Sequence, residues 1–223
     1  MDAPRSHLEE YVLNETGKVY TGSYKHPIGR DWAFGQFEDS VLPAAMYILD
    51  KSKLNPSLRG NPVKVARVIS AMVNDVDDGG VLTGRWQPPY DDGVSPWEWT
   101  GSVEILNKYM ETGRPVKYGQ CWVFSAVVTT ICRALGLPCR SVTNYVSAHD
   151  TNQSLTIDRF FSATGEELTS KDDPEYGFDS IWNFHVWNDV WMARPDLPHG
   201  FGGWQAIDST PQEASDGMKH LVH

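Results

Sequence analysis

The spacing of apolar residues changes once along this chain, and that change restricts the fold more than any other feature. In "FGQFEDSVLPAAMYILDKSKL" the positions Val41, Leu42, Ala45, Met46 and Leu49 recur at helical spacing and predict a helix ending near Ser52. "NPVKVARVISAMVND" repeats the pattern with Pro62 near its first turn, where a missing N–H costs nothing, and "TGSVEILNKYMETG" closes on Gly113. The apolar run "CWVFSAVVTTICRAL" is followed by Gly136 at a C-cap position and by Pro138 just beyond. From there β-branched and aromatic residues take over. "RSVTNYVSA", "SIWNFHVWNDVWMA" and "GFGGWQAIDST" read as strands, and "IDRFFSATGEEL" as a hairpin through Thr164-Gly165. Ahead of the helices, "EEYVLNETGKVYTGS" reads as one strand-like run leading into the turn-rich "YKHPIGR". Helices first and strands after predict an α+β class rather than a doubly wound sheet, in one main domain.

Composition narrows the function classes. A net charge of −10 and a pI near 5.1 repel phosphate backbones, and no run of Lys or Arg with interleaved aromatics offsets them, so nucleic acid is excluded as a partner. No apolar run approaches the roughly 20 residues of a membrane helix. The start "MDAPRSHLEEYVLNE" has no signal-like apolar segment, which makes the cytoplasm the default compartment, with leaderless export as the alternative route out. Three cysteines, Cys121, Cys132 and Cys139, are too few for a disulfide framework and form no CxxC pair, so reduced thiols are expected.

The chemistry concentrates in "YGQCWVF". Cys121 stands where a helix begins, and there unpaired N–H groups and the positive dipole end favour a thiolate. The same residue, at the mouth of an apolar run, also reads as a packed core thiol. His185 lies mid-strand in "WNFHVWNDVW", with Asn183 and Trp187 on its face by the period-two rule. Asp208 ends the next strand, from which its carboxylate can meet the far nitrogen of the imidazole. Cysteine, histidine and aspartate from a helix start and two strands are the nucleophile, base and orienting group of thiol acyl transfer. Cys132 and Cys139 read as structural. "AMVNDVDDGG" is an oxygen-rich loop that reads either as a solvated acidic turn or as a calcium site. Nine tryptophans, several beside polar residues, either pack the core or line a cleft for an extended substrate.

"YGQCWVF", "TNYVSAHD", "WNFHVW", "RPDLPHGFGGWQAIDSTPQE" and "GNPVKVARVISAMVNDVDDGGVL" resemble the catalytic core of animal transglutaminases of the coagulation-factor and epidermal types, from about Glu9 to Met218. The resemblance implies a papain-like α+β fold, catalytic residues Cys121, His185 and Asp208, and acyl transfer from a protein glutamine to a lysine or other amine through a thioester. It implies Trp86 in "GRW" as an oxyanion donor beside the Cys121 N–H, and Trp182 as a wall of the amine tunnel. Losing one such donor raises a barrier by about 3–4 kcal/mol. Calcium is implied at the Ala71 carbonyl, Asn74, the Val76 carbonyl and Asp78. A second calcium loop is implied at Asp150, Asn152, Ser154 and Thr156 with Asp179, where Asn152 and Ser154 stand in place of the family's usual Asp and Asn.

The same resemblance makes residues 1–28 a link leaving a β-sandwich and residues 29–223 a catalytic core that breaks off before the family's remaining sheet and two β-barrels. Two other functions fit these residues. A papain-like thiol hydrolase or deamidase would deliver the acyl group to water, and an inactive scaffold fragment would use none of the chemistry.

Overall fold

The architecture is that of a computed structural model of the chain, which describes residues 5–75, 79–151, 154–169, 172 and 179–211. A helical turn α1 (Arg5–Leu8) runs into a π-helical turn (Glu9–Leu13) and then into an antiparallel hairpin, β1 (Thr16–Ser23) with β2 (His26–Ala33). The strand-like run of the N-terminal sequence therefore splits in two, and the turn-rich "YKHPIGR" becomes half of the hairpin. The hairpin closes through Gly22 at φ 93, where an added Cβ would lie 2.5 Å from the His26 carbonyl oxygen.

Three helices follow. Helix α2 (Val41–Lys51) ends at Ser52, as its spacing predicts. Helix α3 (Pro62–Val73) is capped by Asn61, whose side chain accepts from the N–H groups of Val63 and Lys64. Helix α4 (Val103–Thr112) ends on Gly113 at φ 63. They surround α5 (Cys121–Ala134), in which Cys121 to Arg133 are all buried. A helix apolar on every side has to be enclosed, and this one is the axle of the core. Burial of each large side chain along it, Phe124 and Ile131 among them, contributes about 2 kcal/mol. Its threonine hydroxyls are matched: Thr129 Oγ1 donates to the Ser125 carbonyl at 2.9 Å, and Thr130 Oγ1 to the Phe34 carbonyl at 3.1 Å.

On the other side of α5 stands an antiparallel sheet in the order β5 (Cys139–His149), β8 (Ser180–Met192) and β9 (Gly203–Ile207). Val186, Val190 and Met192 of β8 join the core with α5. Between them, Asn188 Nδ2 donates to the Ser125 carbonyl and to Thr129 Oγ1, each at 2.9 Å, and fixes the height of the helix on the sheet. The hairpin predicted around Thr164-Gly165 forms as β6 (Phe160–Phe161) and β7 (Glu167–Leu168). Two short parallel strands, β3 (Leu82–Gly84) and β4 (Val116–Gly119), had no strand signal of their own; β4 leads straight into α5. The fold is α+β. Among the described residues no helix is long and apolar enough to cross a membrane.

Candidate active site

Cys121 is the first residue of α5, after Gln120 in extended backbone at φ −132 and ψ 176. The Gln120 carbonyl accepts from the N–H groups of Val123 and Phe124, at 2.8 and 3.1 Å, which closes the first turn. Cys121 and Trp122 donate to no intrahelical carbonyl, as at the start of any helix, and the positive end of the helix dipole falls at the sulfur. The Gln120 side chain does not cap the helix. It reaches sideways, its Nε2 donating to the Arg85 carbonyl at 3.0 Å and to Tyr90 Oη at 3.3 Å.

His185 sits on the central strand, paired across to Asn144 of β5. Its Nε2 lies 2.6 Å from Asp208 Oδ2. Asp208 is the residue after β9, and its other oxygen, Oδ1, accepts from the Thr210 N–H at 2.9 Å, while Ser70 Oγ of α3 donates to its backbone carbonyl at 2.6 Å. Asp208 is thus held at its backbone by Ser70 and at its carboxylate by the Thr210 N–H before it meets the ring.

The second ring nitrogen, Nδ1, is buried and lies in no hydrogen bond of standard geometry, yet the Cys121 side chain is close enough to raise the proton affinity of the imidazole. Burial is the largest influence on His185 and pushes its pKa down. Hydrogen bonding to Asp208 and to Cys121, with the charge of both, outweighs it and sets the pKa at about 9. An imidazolium between a carboxylate and a sulfur is an arrangement suited to thiolate nucleophiles. The helix start and the two strands therefore bring together the three residues that the sequence singles out.

Trp86 lies on the loop after β3 and is 37% exposed. Its ring covers Gly84, where an added Cβ would sit 2.7 Å from the indole. The preceding residue is tied to the nucleophile's own approach, because the Arg85 N–H donates to the Gly119 carbonyl at 3.1 Å. Trp182 stacks on His149 with centroids 4.5 Å apart and meets the His185 ring edge-on at 5.3 Å. Strict alternation would put Trp182 on the opposite face of β8 from His185. The contact occurs where the β5–β8 ladder skips Val146, which has φ 57. Trp187, on the His185 face as expected, makes an edge contact at 5.6 Å. Sequence reasoning missed His149 and Gln120, although Gln120 stands beside the cysteine in "YGQC".

Of the first calcium loop, the Ala71 carbonyl accepts from the Asn74 N–H at 3.2 Å and Asn74 is buried. An added Cβ at Gly80 would fall 2.2 Å from the carbonyl oxygens of both Met72 and Asn74. Val76 and Asp78 lie outside the described residues. In the second loop Asp150 Oδ2 accepts from the Leu155 N–H at 2.7 Å, and Ser154 Oγ and Thr156 Oγ1 are 2.7 Å apart. Asp179 accepts from the Asp158 N–H and from Thr151, which hold its carboxyl below the usual range against the opposing effect of burial. Asn152 lies outside the described residues. Asp158, missed by the sequence reading, approaches Thr156 Oγ1 at 3.0 Å. Among the described residues no group of three or more His, Cys, Asp or Glu side chains is placed to hold a metal.

A helix-borne cysteine facing a histidine–aspartate pair on a sheet defines the class of thiol acyl-transfer folds. Residues 87–209 match the profile of the transglutaminase-like superfamily, and the chain belongs to that family. It is 64% identical over 211 residues to the hemocyte protein-glutamine γ-glutamyltransferase of Tachypleus tridentatus, covering 94% of this chain and 27% of that protein. To the human coagulation factor XIII A chain it is 53% identical over 213 residues, covering 94% and 28%. The crystal structure of red sea bream transglutaminase superposes with a TM-score of 0.83 at 48% identity, over 96% of this chain and 33% of that one. The chain thus has the transglutaminase core fold and spans about a quarter to a third of the length of these relatives.

Proposed function

We propose that this chain carries the catalytic centre of a protein-glutamine γ-glutamyltransferase, which joins glutamine side chains of one protein to lysine or small-molecule amines. The observation that carries the reading is the 2.6 Å contact of His185 Nε2 with Asp208, which leaves Nδ1 to Cys121 at the start of α5. Cys121 sulfur, as thiolate, attacks the carboxamide carbon of the glutamine. The resulting oxyanion is met by the Cys121 N–H and the Trp86 indole N–H. His185 gives its proton to the departing ammonia, and a thioester remains. The amine then attacks the thioester carbon while His185 takes its proton, the carbon–sulfur bond breaks, and an isopeptide bond and the thiolate result. Asp208 keeps the ring oriented throughout. Trp182, edge-on to the imidazole and backed by His149, walls the amine's approach and keeps water from competing.

Calcium dependence is part of the proposal. The Ala71 carbonyl, Asn74, the Val76 carbonyl and Asp78 would hold one ion, and Asp150, Asn152, Ser154, Thr156 and Asp179 another. Every described donor in these sets is an oxygen, the chemistry calcium prefers, and the hydrogen bonds of the second loop already gather Asp150 and Asp179 to one turn. Bound calcium would supply charge compensation that fixes both loops.

The test incubates the purified chain with casein and a fluorescent primary amine, with calcium or with chelator, and measures amine incorporation and ammonia release together. Incorporation that requires calcium is expected. Ammonia release without incorporation in excess amine would replace transfer by hydrolysis, and the absence of both would leave this chain a binding fragment.

A further inference from the structure

The loop that carries Trp86 is bound to the strand that delivers Cys121 through one carboxylate. Asp92 Oδ2 accepts from Lys117 Nζ at 2.6 Å, and Asp92 Oδ1 accepts from the Tyr118 hydroxyl at 2.6 Å. Arg85 Nη1 stands 3.6 Å from the same Oδ1, donates to Tyr118 Oη at 2.9 Å and to the Pro89 carbonyl at 2.7 Å, and its guanidinium lies 4.7 Å from the centre of the Tyr118 ring. Lys117 and Tyr118 belong to β4, just ahead of Cys121, and Arg85 immediately precedes Trp86. The bracket therefore grips the residue just before Trp86 and, three and four positions ahead of Cys121, the strand that leads to it.

The backbone repeats the connection. The Val94 N–H donates to the Lys117 carbonyl at 2.8 Å and the Tyr118 N–H to the Val94 carbonyl at 3.0 Å. Gly93 presses so closely on β4 that an added Cβ would lie 2.6 Å from Lys117 Cβ and 2.8 Å from its carbonyl oxygen. Asp92, Arg85 and Lys117 are all partly exposed, at 56%, 38% and 42% of the side chain. Ion pairs so open to water contribute little to global stability, so a stabilising role does not account for two donors and a guanidinium converging on one carboxylate. Their convergence does fix geometry, because each donor comes from a different direction. The hydrogen bonds from Lys117 and then Tyr118 hold the Asp92 carboxyl down at about 2, so the bracket stays charged wherever the protein is folded and active.

We propose that Asp92 is a positioning residue for acyl transfer: by clamping Arg85 against Lys117 and Tyr118, it holds the Trp86 indole in register with the Cys121 N–H, so that both donors meet the same oxyanion. The inference rests on the reading of Trp86 given under the proposed function. Asp92 touches no reacting atom.

The test is a double-mutant cycle of Asp92→Asn and Trp86→Ala in the full chain, with kcat and KM measured for amine incorporation in calcium. Beside it runs the rate at which iodoacetamide alkylates Cys121, a displacement that forms no oxyanion. Asp92→Asn is expected to lower kcat on the order of 10- to 100-fold, as a displacement near 1 Å does, with the KM for the glutamine donor unchanged. Alkylation should keep its wild-type rate, and Asp92→Asn should cost nothing further in the Trp86→Ala background. Additive losses, an equal slowing of alkylation, or a wild-type kcat in Asp92→Asn alongside a crippled Trp86→Ala would each overturn the inference. Full activity in Trp86→Ala would instead remove the oxyanion assignment itself, and the inference with it.

Discussion

Replacement of Cys121 by alanine is expected to abolish amine incorporation while leaving the protein folded, with only the part of the His185 stabilisation that Cys121 supplies lost from the unfolding transition. Loss of the nucleophile from a relay of this kind lowers kcat by a factor on the order of 10⁶, which is the whole measurable signal. Stability should fall far less. Cys121 is 3% exposed, but it occupies the first position of α5, where alanine is a good helix former and only a sulfur atom is removed. Cys132 and Cys139 are its natural controls. Both are fully buried and form no disulfide, and alanine there should weaken the core without changing the rate per folded molecule. Separating the two outcomes requires both an unfolding curve and an activity assay on each variant.

Asp208→Asn carries the second large effect. Asparagine has the same shape and can keep the bond from the Thr210 N–H, while Ser70 holds a backbone oxygen that the substitution does not touch. The fold should persist and kcat should fall by a factor on the order of 10⁴, because an amide no longer selects the ring tautomer or stabilises the imidazolium. A pH signature accompanies the loss. The His185 pKa is raised from 6.5 to about 9, so the stability it contributes is fully present below pH 6.5 and disappears as the pH rises through about 9. That shift corresponds to roughly 3 kcal/mol. Urea unfolding should show wild type above Asp208→Asn by the widest margin below pH 6.5, with the gap closing above about 9. A gap that widens with pH would mean that His185 is not the group that Asp208 serves.

The helices and the long strands were legible because period and punctuation agree. Pro62 opens α3, Gly113 closes α4, and Gly136 takes φ 79 just past α5, each supplying a conformation or a missing donor that the pattern around it needs. The three candidate residues were singled out for a related reason: Cys121 opens a helix, His185 lies within a strand and Asp208 directly follows one, elements whose type the sequence declares. The N-terminal segment resisted, because distant contacts decide it. Gln36 Nε2 donates to the carbonyls of Val12 and Asn14, and Arg133 reaches the Asn14 carbonyl at 2.6 Å, so a run with strand-like composition breaks into a helical turn and a hairpin. Strands β3 and β4 are too short for a periodic signal. The Trp182 contact with His185 breaks the parity rule at Val146, and nothing in "NYVSA" announces a residue at φ 57. Asp92 was invisible because its partners, Arg85, Lys117 and Tyr118, come together only when β3 and β4 pair.

Site-resolved alkylation at neutral pH tests the relay most directly: iodoacetamide is added to the wild type and to His185→Ala, and modification of each cysteine is followed by mass spectrometry. The relay predicts that Cys121 is modified ahead of Cys132 and Cys139 in the wild type, and that this lead collapses in His185→Ala. Equal rates for Cys121 in the two proteins would show a thiol that owes nothing to the imidazole, and the account would fail at its centre.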